Sequence, residues 1–215
     1  MKKEESFLSR LSFKCFEKFI FFIVKVFCNP KVYFEKETEK GRPTLDGPTI
    51  ILSNHINHLD GTVISYVFRK YSPHNMAAKD RFEQGGLMKW YLTKGKCIPI
   101  DRKTLSTDWL RAAVRTLSLD KENIAIYPEG RHGSNRQILP FHSGVTTIAA
   151  MTGCPIVMVY IDGPYKFGKR CRLIVSEPLH LDPMTEGMNA DYIGGQTEKL
   201  HTKMEQLQAS LLKRL

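Results

Sequence analysis

Short β-branched runs, separated by longer stretches of helical period, most constrain what this chain can fold into. Residues 49–53 (TIILS), 97–100 (CIPI), 123–127 (NIAIY), 155–161 (PIVMVYI) and 172–176 (RLIVS) have the length and composition of strands. Between them, residues 60–71, 85–94, 106–119 and 143–153 carry helical patterns, the last closed by Gly153. Such alternation predicts an α/β fold with a largely parallel sheet flanked by helices. At 215 residues and 42% hydrophobic content the chain can bury one core. No repeat or linker divides it, so residues 31–215 are expected to form a single domain behind a distinct segment at 1–30.

Charge narrows the partners. Lysine and arginine number 32 against 22 acidic residues, a formal +10, which favours an anionic partner: a membrane, a phosphorylated metabolite or nucleic acid. No nucleic-acid motif accompanies the charge, so nucleic acid is not expected. The cysteines at 15, 28, 97, 154 and 171 are odd in number and form no C-x-x-C, which argues against a disulfide framework and a cysteine zinc site and favours a reducing, cytosolic setting.

Residues 11–28 (LSFKCFEKFIFFIVKVFC) lack a small-residue cleavage site, and their apolar run from Phe19 to Val24 falls far short of the ~20 residues of a span. At about 100° per residue, Lys14, Lys18 and Lys25 fall on one stripe, and Phe16, Ile20, Ile23 and Phe27 on the opposite face, with Phe21 and Phe22 on the lysine side. The pattern predicts an amphipathic helix lying in a membrane interface, apolar face down, against the alternative of a helix docked on the core.

Parallel sheets place ligands at the carboxyl ends of their strands, where SNHINHLD (53–60) and PEGRHGSNRQ (128–137) fall. His55 and Asp60 stand as H-x-x-x-x-D. A carboxylate on one ring nitrogen fixes the tautomer and leaves the other free to take a proton from a hydroxyl. The same residues also read as an Asp60 helix N-cap beside a turn histidine. His55, His58 and Asp60 are possible metal ligands, but Ile56 and Gly61 occupy the histidine positions of an H-x-H-x-D-H site, so no metal is expected.

Four ordered blocks resemble the glycerolipid acyltransferase family, which includes the 1-acylglycerol-3-phosphate acyltransferases. NHINHLD resembles N-H-x-S-x-x-D, GKCIPIDR (95–102) resembles G-x-x-x-I-D-R, YPEGRHGS resembles F-P-E-G-T-R-S, and CPIVMVYI resembles V-P-I-V-P-V, together covering about residues 48–180. The resemblance implies that His55 is a general base that deprotonates a lysophospholipid hydroxyl, with Asp60 as its orienter, for direct attack on an acyl thioester. It implies that Arg102, Glu129, Gly130 and Arg131 bind the glycerol phosphate, Gly130 through a backbone donor. No cofactor is implied; the donor is acyl-CoA or acyl-carrier protein. The expected protein is a peripheral acyltransferase on the cytoplasmic face of an anionic membrane, converting 1-acylglycerol-3-phosphate to phosphatidic acid. Acylation of another lysolipid or an amino-acid lipid is the alternative within the family, and a non-catalytic basic membrane-binding protein the alternative outside it. Asn57, His58 and His142 depart from the family pattern, and GRHGS in place of G-T-R-S leaves Arg131 and Arg136 in competition, with Arg131 nearer the strand end.

Overall fold

The computed structural model describes residues 7–38, 41–101, 106–133, 136–185 and 187–215. Its strands are β1 (Lys31–Phe34), β2 (Ile50–Ser53), β3 (His74–Ala78), β4 (Ile98–Ile100), β5 (Ile124–Ile126), β6 (Ile156–Gly163) and β7 (Arg172–Val175). Its helices are α1 (Phe7–Phe27), α2 (Asp60–Val67), α3 (Lys79–Glu83), α4 (Gly86–Lys94), α5 (Asp108–Ser118), α6 (Gly144–Thr152) and α7 (Ala190–Lys213). One seven-stranded sheet has the order β1-β7-β6-β2-β5-β3-β4. Neighbours pair in parallel except β6 and β7, so β1 and β7 run against the other five.

The period of two along the strands divides the core into two layers. Ile50, Leu52, Ile124, Ile126, Met158 and Tyr160 face α5, α6 and α7, whose buried side chains include Leu117, Ile148, Leu200 and Met204. Ile51, Ala125, Val157, Val159 and Ile161 face the other way, onto α1 and α2, where Val24, Val63, Ile64 and Val67 meet them. Strands buried on both faces explain why the sequence shows continuous apolar runs. All five expected strands are present; β1, β3, α3 and α7 are additions. Gly153 ends α6 as expected, with φ +66° and its N–H donating to Ala149 O at 2.8 Å.

The amino-terminal helix forms, but its faces are not those predicted. Phe13 and Phe16 pack against Trp90 and Tyr91 of α4, Phe21 packs edge-on against Tyr66, and Val24 is buried. Phe16, Ile20 and Ile23, assigned to the lipid side from the sequence, are therefore half-buried. Phe27, assigned to the same side, is exposed, as are Leu11, Phe19, Phe22 and Val26 beside the stripe of Lys14, Lys18 and Lys25. The apolar arc is wide enough to serve two neighbours, and the protein body takes Phe13, Phe16, Ile20, Phe21, Ile23 and Val24. Among the described residues, no helix is long and apolar enough to cross a membrane.

Candidate active site

Four connections converge at the carboxyl ends of the parallel strands, three of them loops and one the short helix α3. His55 lies two residues beyond β2, Arg81 three beyond β3, Glu129 three beyond β5 and Tyr165 two beyond β6. The turn after β2 is fixed from three sides. Asn54 reaches across to β6, its amide donating to Ile161 O at 3.0 Å and accepting from Ile161 N–H at 2.7 Å. The His55 peptide is gripped by the loop after β5: its N–H donates to Glu129 Oε1 at 2.9 Å, and its carbonyl accepts the Gly133 N–H at 2.7 Å. Gly133 must be glycine, since a Cβ there would stand 2.6 Å from Gln137 O.

The third side is Asp60, which is fully buried. Its Oδ2 receives the N–H groups of Ile56 and Asn57 at 2.7 and 2.8 Å and lies 2.8 Å from His55 Nδ1. Its Oδ1 accepts the Tyr165 hydroxyl. The lone pairs of the carboxylate are thus directed at four donors, which explains how a buried charge is tolerated. Asp60 opens α2 but does not cap it; Leu59 occupies the N-cap without a side-chain bond, and Asp60 turns back to the histidine loop. Asn57, the departure from serine, closes the turn by accepting the Leu59 N–H at 3.0 Å. Burial first, and the Asp60 charge second, raise the Tyr165 phenol well above its ordinary range, so it remains a donor.

With Nδ1–H committed to Asp60, His55 carries its lone pair on Nε2, and its ring is 17% exposed. Tyr127 stacks on the imidazole, centroids 4.6 Å apart, and donates its own hydroxyl to Asn75 Oδ1 at 3.1 Å. His132 meets the same imidazole edge-on at 4.1 Å and touches His58 at 4.2 Å; Arg81 Nη2 lies 3.1 Å from His58 Nδ1. Desolvation lowers the His132 pKa, and the neighbouring His55 and His58 lower it further. These groups line a cavity of about 1350 Å³ together with Arg131, His142, Phe13, Phe21, Met76, Leu92, Trp109 and Val145. The cavity has a cationic portion at the histidine turn and an extensive apolar lining.

Two expected binding groups do something else. Glu129 is 3% exposed and faces away from the cavity, its oxygens accepting the N–H groups of His55 and of Leu139, the latter at 3.1 Å. Burial raises its carboxyl pKa against those two donors. It holds the chain, because a carboxylate placed behind a tight turn is the nearest acceptor for the N–H groups that the turn leaves unpaired. Gly130 offers no free donor: its N–H bonds Tyr127 O at 3.2 Å. Its φ of +66° and the His142 ring, 3.1 Å from where a Cβ would stand, account for the glycine instead. Arg131 is exposed at the cavity, whereas Arg136 is engaged with Asp162, its Nε 2.6 Å from Oδ1. Arg102 lies outside the described residues. Tyr165, Tyr127, Arg81 and the imidazole of His132 entered no sequence assignment; only their assembly at strand ends identifies them.

The fold and the site define an O-acyltransferase. The profile of the Acyltransferase family matches residues 30–162, and the chain belongs to that family. It is 27% identical over 175 residues, 77% of its length and 84% of the relative's, to a 1-acyl-sn-glycerol-3-phosphate acyltransferase of Bacillus subtilis (strain 168). It is also 27% identical over 157 residues, 69% of its length and 44% of the relative's, to the chloroplastic 1-acyl-sn-glycerol-3-phosphate acyltransferase BAT2 of Brassica napus. The crystal structure of PlsC, the 1-acyl-sn-glycerophosphate (LPA) acyltransferase of Thermotoga maritima, shares the fold, with a TM-score of 0.63, 22% identity, and coverage of 94% of this chain and 81% of that one.

Proposed function

We propose that the protein transfers a fatty acyl group from an acyl thioester to the free hydroxyl of 1-acyl-sn-glycerol-3-phosphate, giving phosphatidic acid. The observation that carries the reading is the His55–Asp60 contact of 2.8 Å at the wall of a large, partly apolar cavity. His55 Nε2 takes the substrate hydroxyl proton as the oxygen attacks the thioester carbonyl, and Asp60 stabilises the imidazolium. The tetrahedral adduct collapses with cleavage of the C–S bond, and the thiolate leaves with the proton held on Nε2. An ester and a thiol result, and no serine nucleophile is required.

The guanidinium groups of Arg131 and Arg81 suit the phosphate, with the imidazoles of His132 and His58 beside them. Names and identities of the relatives support the same substrate. The reaction uses no metal or cofactor, since proton transfer to and from imidazole completes it, so exhaustive chelation should leave turnover unchanged. Acyl-CoA or acyl-carrier protein is the donor substrate.

The protein works as a peripheral enzyme on the cytoplasmic face of an anionic membrane. The exposed Leu11, Phe19, Phe22 and Val26, flanked by the lysine stripe, support α1 as the lipid contact. Phe19→Ser with Phe22→Ser should weaken binding to anionic vesicles without unfolding the protein, because neither ring is buried. The test of the activity is thin-layer separation of products formed from labelled oleoyl-CoA and a panel of lysolipids. Phosphatidic acid as the preferred product supports the reading; transfer to a neutral lysolipid in preference contradicts it.

A further inference from the structure

The loop between β6 and β7, residues 164–171 (PYKFGKRC), has two ends with opposite surroundings. At its tip Phe167 is 72% exposed, and Lys166, Lys169 and Arg170 are exposed around it. The loop contains no acidic residue, and among the described residues none of the three cations is ion-paired. Among the described residues the Phe167 ring meets one other ring, Phe27 at the end of α1, with centroids 5.4 Å apart, and Phe27 is itself 49% exposed. An apolar tip ringed by unpaired cations is complementary to an anionic headgroup layer, with the ring entering the acyl boundary and the cations remaining among the phosphates.

The root of the loop is fixed to the two elements that matter. Tyr165 donates to Asp60 Oδ1. Cys171 N–H donates to Cys28 O at 2.6 Å, and Lys31 N–H to Cys171 O at 2.8 Å, which ties the far end of the loop to the chain leaving α1. The tip is therefore continuous with the exposed end of α1 and held in a set position relative to the catalytic carboxylate.

We propose that residues 164–171 form a second lipid contact, seated with the end of α1 on an anionic bilayer, which orients the His55–Asp60 cavity toward lipid-borne substrate. The inference rests on the acyl-transfer reading only for the orientation of the site; the contact itself is independent of activity. A loop tip seated beside the end of α1 widens the contact to one side of the helix and so limits rotation of the protein about the helix axis, which one helix alone leaves free.

The test uses the full chain and vesicles of phosphatidylcholine with and without phosphatidylglycerol. Phe167→Trp should show a blue shift in emission above that of the wild-type protein, and quenching by bromolipid, when the anionic vesicles are added. Lys166→Gln, Lys169→Gln and Arg170→Gln should each weaken vesicle binding by about fivefold at low salt. Phe167→Ser should raise the apparent KM for vesicle-borne lysophosphatidic acid about tenfold, leaving kcat and the constants for a short-chain, monomeric lysolipid unchanged. A Phe167→Trp emission that stays at the water-exposed position, with wild-type binding by the glutamine variants, overturns the proposal. If the protein acylates no lysolipid, the activity reading fails while the fluorescence still decides the contact.

Discussion

Asp60 and Arg131 serve one cavity and are built in opposite ways. Asp60 is fully buried and meets four donors, two of them backbone N–H groups of the turn it orients. Arg131 is exposed, next to His132, whose main contacts are with other imidazoles. The difference separates two tasks. Proton transfer requires a geometry fixed to a fraction of an ångström, which the buried network supplies. A headgroup can be met by side chains that adjust, and their loss should be felt as affinity. Changes in the buried half should therefore reduce kcat, and changes at the rim should raise KM.

The largest effect expected short of removing the base itself is for Asp60→Asn. The Tyr165 hydroxyl can rotate to accept from the new amide, so the fold should persist, while the imidazolium loses its counter-charge and kcat falls by on the order of 10² to 10⁴. Measured turnover within a few-fold of wild type would erase the distinction between the two regions. Glu129→Ala comes next. It leaves the His55 and Leu139 N–H groups without their acceptor, at about 1 to 3 kcal/mol each, and denaturant titration should show the loss together with a lowered kcat. A Glu129→Ala variant with normal stability and a raised lysolipid KM would return Glu129 to the substrate.

At the rim, Arg131→Ala should cost about 1.5 to 3 kcal/mol of phosphate contact, read as a higher KM for lysophosphatidic acid with the donor constant unmoved. Arg136→Ala should leave that KM alone, because the guanidinium is held by Asp162. The opposite ranking of the two arginines would mean that the loop presents Arg136 instead. The smallest effect is on stability against pH. His74 is 8% exposed; desolvation lowers its pKa more than Glu122, 2.8 Å away, raises it, and His132 is lowered as well. Below about pH 6.5 the unfolded chain then binds more protons than the folded one, so stability declines as pH falls through that window and recovers as it rises. Glu129, with its raised pKa, acts in the other direction, its contribution declining as pH rises from about 4.5. His74→Gln, which keeps a donor for Glu122, should flatten the change in Tm between about pH 7.5 and about pH 5.5; an unchanged slope would assign it elsewhere.

Much of this was legible in the residues, and the gaps have physical causes. Four of the five β-branched strands announce themselves because they are buried on both faces, and β4, an edge strand with Pro99 exposed, by its two isoleucines. β3 does not: its sequence, HNMAA, has no β-branched residue and is a strand only because β4 and β5 pair with it. β1 is four residues at the sheet edge. α7 was readable from the spacing of Leu200, Met204, Leu207 and Leu211 behind the Asn189 cap, a helical stripe outside the strand-and-helix alternation. The spacing of His55 and Asp60 anticipated their contact, since a turn of that length returns the carboxylate to the ring. Tyr165 had no comparable signal; it is 105 residues from Asp60, and only the neighbouring positions of β2 and β6 bring them together. Glu129 stood out in the sequence, but whether a carboxylate faces substrate or backbone is decided by burial. The faces of α1 were misassigned because periodicity locates an apolar arc without saying which part of it meets protein.

The central claim is that His55 is the base in acyl transfer to a lysophospholipid. The most direct measurement compares wild-type and His55→Ala protein, each shown to be folded by thermal unfolding, for formation of labelled phosphatidic acid from oleoyl-CoA and lysophosphatidic acid. The account predicts readily measured turnover for the wild type and a loss on the order of 10² to 10⁴ for the variant, with vesicle binding unchanged. A His55→Ala enzyme that turns over within a few-fold of wild type would contradict it.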